Sequence, residues 1–269
     1  MTIHEGESGR DGLPVGDFDR VQSSADPGRF VEWMCHQRAY GSDRALGLLE
    51  LTERDAVIDV GCGPGADLEL MHRQARSAVG VDLSESMVKA ALRRVPDAKV
   101  LIGRATELPF AKGSFDAAWA RALLIHVRDP ETAVGEMARV LQPGGRVVLS
   151  EPDHGSHIVQ TRYPATFEKI KEHRRSRFQN PLVGRHLPAL AISAHLAVAA
   201  TWTTPIVHTS FASARAAGGP FDRATRDAVD DGAISFDEGE RYLQSLQDLD
   251  DQDGFLFAGL AVSVLALKS

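Results

Sequence analysis

Val57-Ile58-Asp59-Val60-Gly61-Cys62-Gly63-Pro64-Gly65 is a short apolar run that stops abruptly on three glycines. No other stretch constrains the fold as tightly. The run fits a strand buried on both faces, and glycines at its carboxyl end let the backbone turn and let a ligand approach without a Cβ in the way. Gly61, Gly63 and Ala66 also satisfy the dinucleotide fingerprint with alanine in the third place, so the loop alone names no ligand. A second strand ends at Asp82, twenty-one residues after Gly61. A carboxylate there can accept from both hydroxyls of a ribose.

Strand and helix signals alternate around this pair. Ala56–Val60, Ala78–Val81, Lys99–Ile102, Phe115–Trp119 and Arg146–Ser150 read as strands. Asp67–Gln74, a segment capped by Ser84 and running to Arg94, and Glu131–Leu141 read as helices. About 100 residues of such alternation indicate an α/β chain with a doubly wound sheet. Beyond Glu151 the pattern loosens: Leu187–Ala200 reads as helix, Trp202–Phe211 as strand, 212–253 as polar helix and Phe255–Lys268 as a last strand.

The expected organisation is a mobile tail at 1–25, then lid helices and the core at 26–153. A cap region follows at 154–198, and 199–269 holds the last two strands with a helical insertion at about 212–253. Trp33, Met34 and Tyr40 fit a lid helix or plain core packing equally well.

Composition excludes several classes. Hydrophobic residues at 43% and charged residues at 25% fit an ordinary globular protein. A net charge of −7 argues against a nucleic-acid partner. Cys35 and Cys62 make neither a disulfide framework nor a zinc set, and no metal site is expected. Phe255–Leu267 is too short an apolar run to insert in a membrane, and Met1–Arg20 shows no apolar leader, so a cytoplasmic location is expected.

Four further segments narrow the reading. They are Gly103-Arg104-Ala105-Thr106-Glu107-Leu108-Pro109-Phe110, Gly113-Ser114-Phe115-Asp116, His126-Val127-Arg128-Asp129-Pro130 and Leu141-Gln142-Pro143-Gly144-Gly145. With the glycine loop, in this order and spacing, they resemble the class I S-adenosylmethionine (SAM)-dependent methyltransferases, most closely the group that includes the ubiquinone and menaquinone C-methyltransferases. The resemblance covers about residues 45–152; Gly184-Arg185-His186-Leu187-Pro188 is similar more loosely.

The resemblance implies a Rossmann-like sheet of seven strands, the last antiparallel, with a mostly helical cap. It implies SAM as cofactor and S-adenosylhomocysteine as its product. Asp59, Gly61, Cys62, Gly63 and Gly65 would form the loop against the methionine part, with Arg121 near its amino and carboxylate groups. Asp82 would hold the ribose, Leu83 and Met87 would pack on the adenine, and the Ala105 N–H would meet the ring. Arg104 departs from the family, which often has an acid there to accept the adenine amino group. Arg cannot accept, so the chain does without that bond or recruits Thr106 as acceptor, or Arg104 stacks on the ring as a planar cation.

Methyl transfer chiefly requires alignment, but a phenol or enol acceptor must also lose a proton, a task suited to histidine. His126, after the fourth strand, and His154, after the fifth, are the candidate bases, with His157 behind them. The expected reaction is methyl transfer to carbon or oxygen of a small, partly apolar molecule, a bacterial specialised metabolite or quinone-like compound. A non-methylating cyclisation or rearrangement and a non-catalytic SAM-binding regulatory module remain alternatives. The oligomeric state is open, a homodimer included.

Overall fold

All five residues of Ala56–Val60 (β1) are buried, as a central parallel strand covered on both faces requires. The computed structural model describes residues 42–269. The expected tail and the lid helix of Trp33, Met34 and Tyr40 therefore lie outside the described residues.

β1 is followed by Ser77–Asp82 (β2), Lys99–Ile102 (β3), Phe115–Arg121 (β4), Leu141–Val159 (β5), Leu196–His208 (β6) and Phe257–Lys268 (β7). They form one seven-stranded sheet in the order β3-β2-β1-β4-β5-β7-β6. β1 to β5 pair in parallel, and β7 runs antiparallel to both β5 and β6. The order reverses between β1 and β4, and ligands bind open α/β sheets at such a switch point, outside the carboxyl ends of the strands.

Side chains alternate between the faces with the strand period of two. Ile58, Ala118, Val147 and Leu149 join one core with Val134 and Met137 of Pro130–Val140, and with Leu187 and Leu190 of Leu187–Ser193. Val57, Ala117, Trp119 and Val148 join the other core, with residues from Ser42–Gly47 (α1), Ala66–Gln74 (α2) and Glu85–Arg94 (α3). Pro130–Val140 is α4. The caps are local: Ser84 Oγ accepts from Met87 N at 3.4 Å, and Asp129 accepts from Thr132 N at 2.9 Å ahead of Pro130.

A third core gathers the later helices against the far ends of β5 and β7. Pro164–Arg175 (α5), the short helix Leu187–Ser193 (α6) and then Phe211–Ala216 (α7), Asp222–Asp230 (α8) and Phe236–Asp250 (α9) complete the helices. Phe167, Ile170, Phe211, Phe221, Tyr242, Leu246 and Phe255 pack together with Phe257 of β7. α7, α8 and α9 fall in the expected 212–253 insertion.

Three expectations require correction. Leu187–Ala200 is not one helix: α6 ends at Ser193, His195 takes a φ of +58°, and β6 begins at Leu196. The alanines from 197 to 200 favour helix locally, but pairing with β7 from Leu196↔Lys268 onward overrides them. β6 also ends at His208, so Phe211 opens a helix instead of closing a strand. The fifth strand does not stop at Ser150. It continues to Val159 along β7, interrupted by a bulge between Asp153↔Leu260 and Ile158↔Ala258. Among the described residues, no helix is long and apolar enough to cross a membrane.

Candidate active site

The glycine loop needs its glycines for both shape and space. Gly61, Gly63 and Gly65 have φ of +74°, +51° and +81°, a region that side chains disfavour. A Cβ on Gly61 would lie 2.7 Å from Leu123 Cδ1, and one on Gly65 3.1 Å from the Ala91 backbone. The loop is tied to β2 by Gly61 N and Cys62 N, which donate to Val81 O at 2.7 and 3.1 Å.

Asp82 completes the tie. Its Oδ2 accepts from Gly63 N at 2.8 Å and its Oδ1 from Ser84 N at 2.9 Å. Burial pushes this carboxyl up, and the backbone N–H bonds oppose that shift. The carboxylate thus spans the glycine loop and the start of α3, with lone pairs left for a ribose.

Behind the loop lies a group not visible in the sequence. Asp67, in the first turn of α2, accepts from Arg121 Nε at 2.7 Å and Trp119 Nε1 at 3.2 Å through one oxygen. Arg121 therefore faces Asp67 first. Asp59 is buried beside them, its carboxyl pushed well up by burial and then by Asp67, with Arg121 opposing. Its Oδ2 has no hydrogen-bond partner among the described residues. Asp67 holds the Arg121 guanidinium directly and Asp59 feels its charge, while Asp82, the third buried acid, is held by backbone N–H groups instead.

This charge inventory selects among ligands. A dinucleotide places its pyrophosphate at the N-terminus of the helix after β1. Here that helix end carries Asp67, paired with Arg121, and Glu69, paired with Arg73 and Arg94, which adds no attraction for a phosphate. A ligand with a positive centre meets a favourable field.

Leu83 is 61% exposed, and Ile102, at the end of the strand paired with β2, is 57% exposed. Two apolar side chains left open at adjacent strand ends suit a flat ring. Met87 is only 1% exposed and packs inward. Arg104 is exposed, and its carbonyl accepts from Glu107 N at 3.1 Å, which turns the chain so that Ala105 and Thr106 are half-buried at the rim. Cys62 packs against Gly80, where a Cβ would lie 2.9 Å from its Sγ, and burial pushes its thiol up. Its side chain is structural; only its backbone belongs to the loop.

On the other side of the switch point, the histidines gather around Phe178. The His126 and His154 rings lie 5.7 and 4.5 Å from it, and His157 lies 5.1 Å from His154. His154 and His157 stand in the β5 bulge. Gly259 leaves room for the His157 ring, since a Cβ there would come within 2.8 Å of it. Burial, followed by Arg174, drives both imidazoles down: His154 well below its usual range and His157 to about 4. Both are neutral at pH 7. His126 is half-buried, on the loop after β4.

That loop hangs on Glu151. Its Oε1 accepts from Leu123 N and Leu124 N at 2.8 and 2.7 Å, and its Oε2 from Ile125 N at 3.4 Å. The Gly184–Pro188 segment clamps the bulge from outside: Arg185 donates twice to Asp153, at 2.7 and 2.8 Å. Gly184 sits against the Glu151 and Pro152 carbonyls, where a Cβ would lie 3.1 and 3.2 Å away. Among the described residues no cluster could hold a metal ion.

Sheet order, glycine loop and strand-end acid together define the class I methyltransferase fold. Residues 58–149 match the family model described as a methyltransferase domain. The chain is 33% identical over 210 residues to an uncharacterised 37.1 kDa protein in transposon TN4556 of Streptomyces fradiae, across 75% of this chain and 60% of that protein. It is 41% identical over 98 residues to a demethylmenaquinone methyltransferase of Renibacterium salmoninarum, across 36% of this chain and 41% of the relative. It therefore spans less than two thirds of either. A candidate methyltransferase of Bacillus halodurans shares the fold, with a TM-score of 0.62 at 16% identity over 84% of this chain and 97% of that one.

Proposed function

We propose that the chain is a SAM-dependent methyltransferase of the cytoplasm, acting on carbon or oxygen of a small, partly apolar acceptor such as a quinone-like compound or specialised metabolite. One observation carries the cofactor: buried Asp59 lies beside the Asp67–Arg121 pair, and its Oδ2 lacks a partner among the described residues. An orphaned carboxylate oxygen in such a field fits an ammonium donor. When bound, SAM supplies a methyl group on a sulfonium, already activated for transfer.

The residues divide the remaining work. Asp82 orients the ribose, the glycine loop admits the methionine part, and Leu83 with Ile102 covers the ring. His126 is the candidate base at the rim, and neutral His154, beside Phe178, is the second. His157 and Phe257 extend an aromatic wall behind them. Such a wall favours a flat, partly apolar acceptor. The name of the Renibacterium relative supports a quinone-like acceptor.

Calorimetric titration with SAM, S-adenosylhomocysteine and NAD tests the cofactor. Micromolar binding of the first two without NAD is expected; binding of NAD alone would overturn the reading. Formation of S-adenosylhomocysteine across a panel of phenols, quinones and polyketides then tests the reaction. Turnover without a methylated product would favour a cyclase, and binding without any turnover a regulatory module.

A further inference from the structure

Glu151 is a buried carboxylate beside the switch point with no part in the proposed holding of cofactor or acceptor. It is almost completely buried in β5, yet its partners are three consecutive backbone N–H groups of another segment, Leu123, Leu124 and Ile125. That segment begins with Ala122 at a φ of +50°, a conformation an alanine holds only when its surroundings over-determine it. It is pinned again from the far side, where Asn180 N donates to Ile125 O at 3.0 Å and Asn180 Nδ2 to Leu124 O at 3.2 Å. The same few residues touch both halves of the site. The Leu123 side chain closes on Gly61 so tightly that a Cβ there would overlap it, and His126 follows one turn later, its N–H bonded to Leu123 O at 2.9 Å.

We propose that Glu151 is a positioning residue: its carboxylate fixes the 122–126 loop, and through that loop sets both the shape of the glycine loop and the placement of His126. The inference rests on the methyltransferase reading for its catalytic meaning, while the anchoring itself does not. Three donors converging on one buried anion are a demanding arrangement, because an apolar or shorter replacement leaves buried N–H groups unpaired. Two features of the side chain are required, reach and acceptor character. Asp keeps the charge and loses the reach. Gln keeps the reach but turns an amide N–H₂ toward one set of donors.

Amide hydrogen exchange of the unliganded protein, calorimetric titration with SAM and thermal melting are measured on wild type, Glu151→Gln, Glu151→Asp and Glu151→Ala. Exchange at 123–125 is expected to rise in all three variants, least in Glu151→Gln. SAM affinity at 10 °C is expected to fall about tenfold in Glu151→Asp and Glu151→Ala and by less in Glu151→Gln. Leu123→Ala serves as the second route: it keeps all three backbone donors, so it should weaken SAM binding without raising exchange at 124–125. Unchanged exchange in the Glu151 variants overturns the anchoring. Raised exchange and a lowered melting temperature, with SAM affinity intact, reduce Glu151 to a structural residue and overturn the coupling. A wild type that binds no SAM sinks the methyltransferase reading instead, and exchange still decides the anchoring.

Discussion

The two halves of the site handle buried polarity in opposite ways. Around the glycine loop the buried groups are acids, Asp59, Asp67 and Asp82, held by backbone N–H donors and one guanidinium. Around the β5 bulge they are neutral imidazoles, His154 and His157, packed against Phe178 and Phe257 with cations behind. The first arrangement fixes a charge pattern and suits a single ligand. The second fixes a shape and polarises only what enters it. Under the proposed function, one charge pattern for the cofactor beside a separately built wall for the acceptor suits a fold that hosts many reactions.

The largest effect should come from the acidic half. Asp82→Ala leaves the Gly63 and Ser84 N–H groups unpaired and removes the ribose acceptor. SAM affinity should drop about 100-fold or more, as titration would show. His126→Ala should spare that affinity and lower turnover about 100-fold or more if His126 takes the acceptor's proton. Equal losses in binding for both variants would erase the distinction between the halves.

The halves should also answer pH with opposite sign. Glu151 is pushed up to about 7 from 4.5 by burial. The folded state therefore binds its proton more tightly, and that contribution is full below pH 4.5 and lost as pH rises through 7. His157 is driven down to about 4 from 6.5. Its contribution is full above pH 6.5 and lost as pH falls toward 4. Each arm is worth at most about 3 kcal/mol, and between pH 5 and 7 the two act against each other on the urea midpoint. Glu151→Gln should make the midpoint climb with pH, and His157→Phe should make it fall. Parallel curves would end the comparison.

The smallest effect should follow from Arg185→Ala. Its bidentate pair with Asp153 is half exposed on the arginine side, so solvent screening leaves about 1 kcal/mol or less. SAM affinity should be unchanged, and any change in acceptor KM would place the clamp on the acceptor side.

The cofactor half was the more legible because its signals are local. Gly61, Gly63, Gly65, Asp82 and the Ser84 cap occupy strand ends and turns, whose chemistry depends on a few neighbours. Asp67 and Glu151 were missed because their partners lie far along the chain, Arg121 for one and Leu123 to Ile125 for the other. Nothing near Glu151 marks it as an anchor. The end of β5 reads as a loop because Pro152 and Gly155 interrupt it, and only pairing with β7 makes it a strand. His126 and His154 were both visible, but Phe178 between them belongs to a segment with no periodic signal.

The β5 bulge also bears on how such a chain can change. Between two intact registers, five steps along β5 match two along β7, from Asp153↔Leu260 to Ile158↔Ala258. The slack is taken up by the segment that carries His154 and His157. A residue inserted or deleted there alters what would confront the proposed acceptor and leaves the pairing on either side in step. New acceptor preferences can thus arise by length variation at one spot, with the cofactor cradle inherited unaltered.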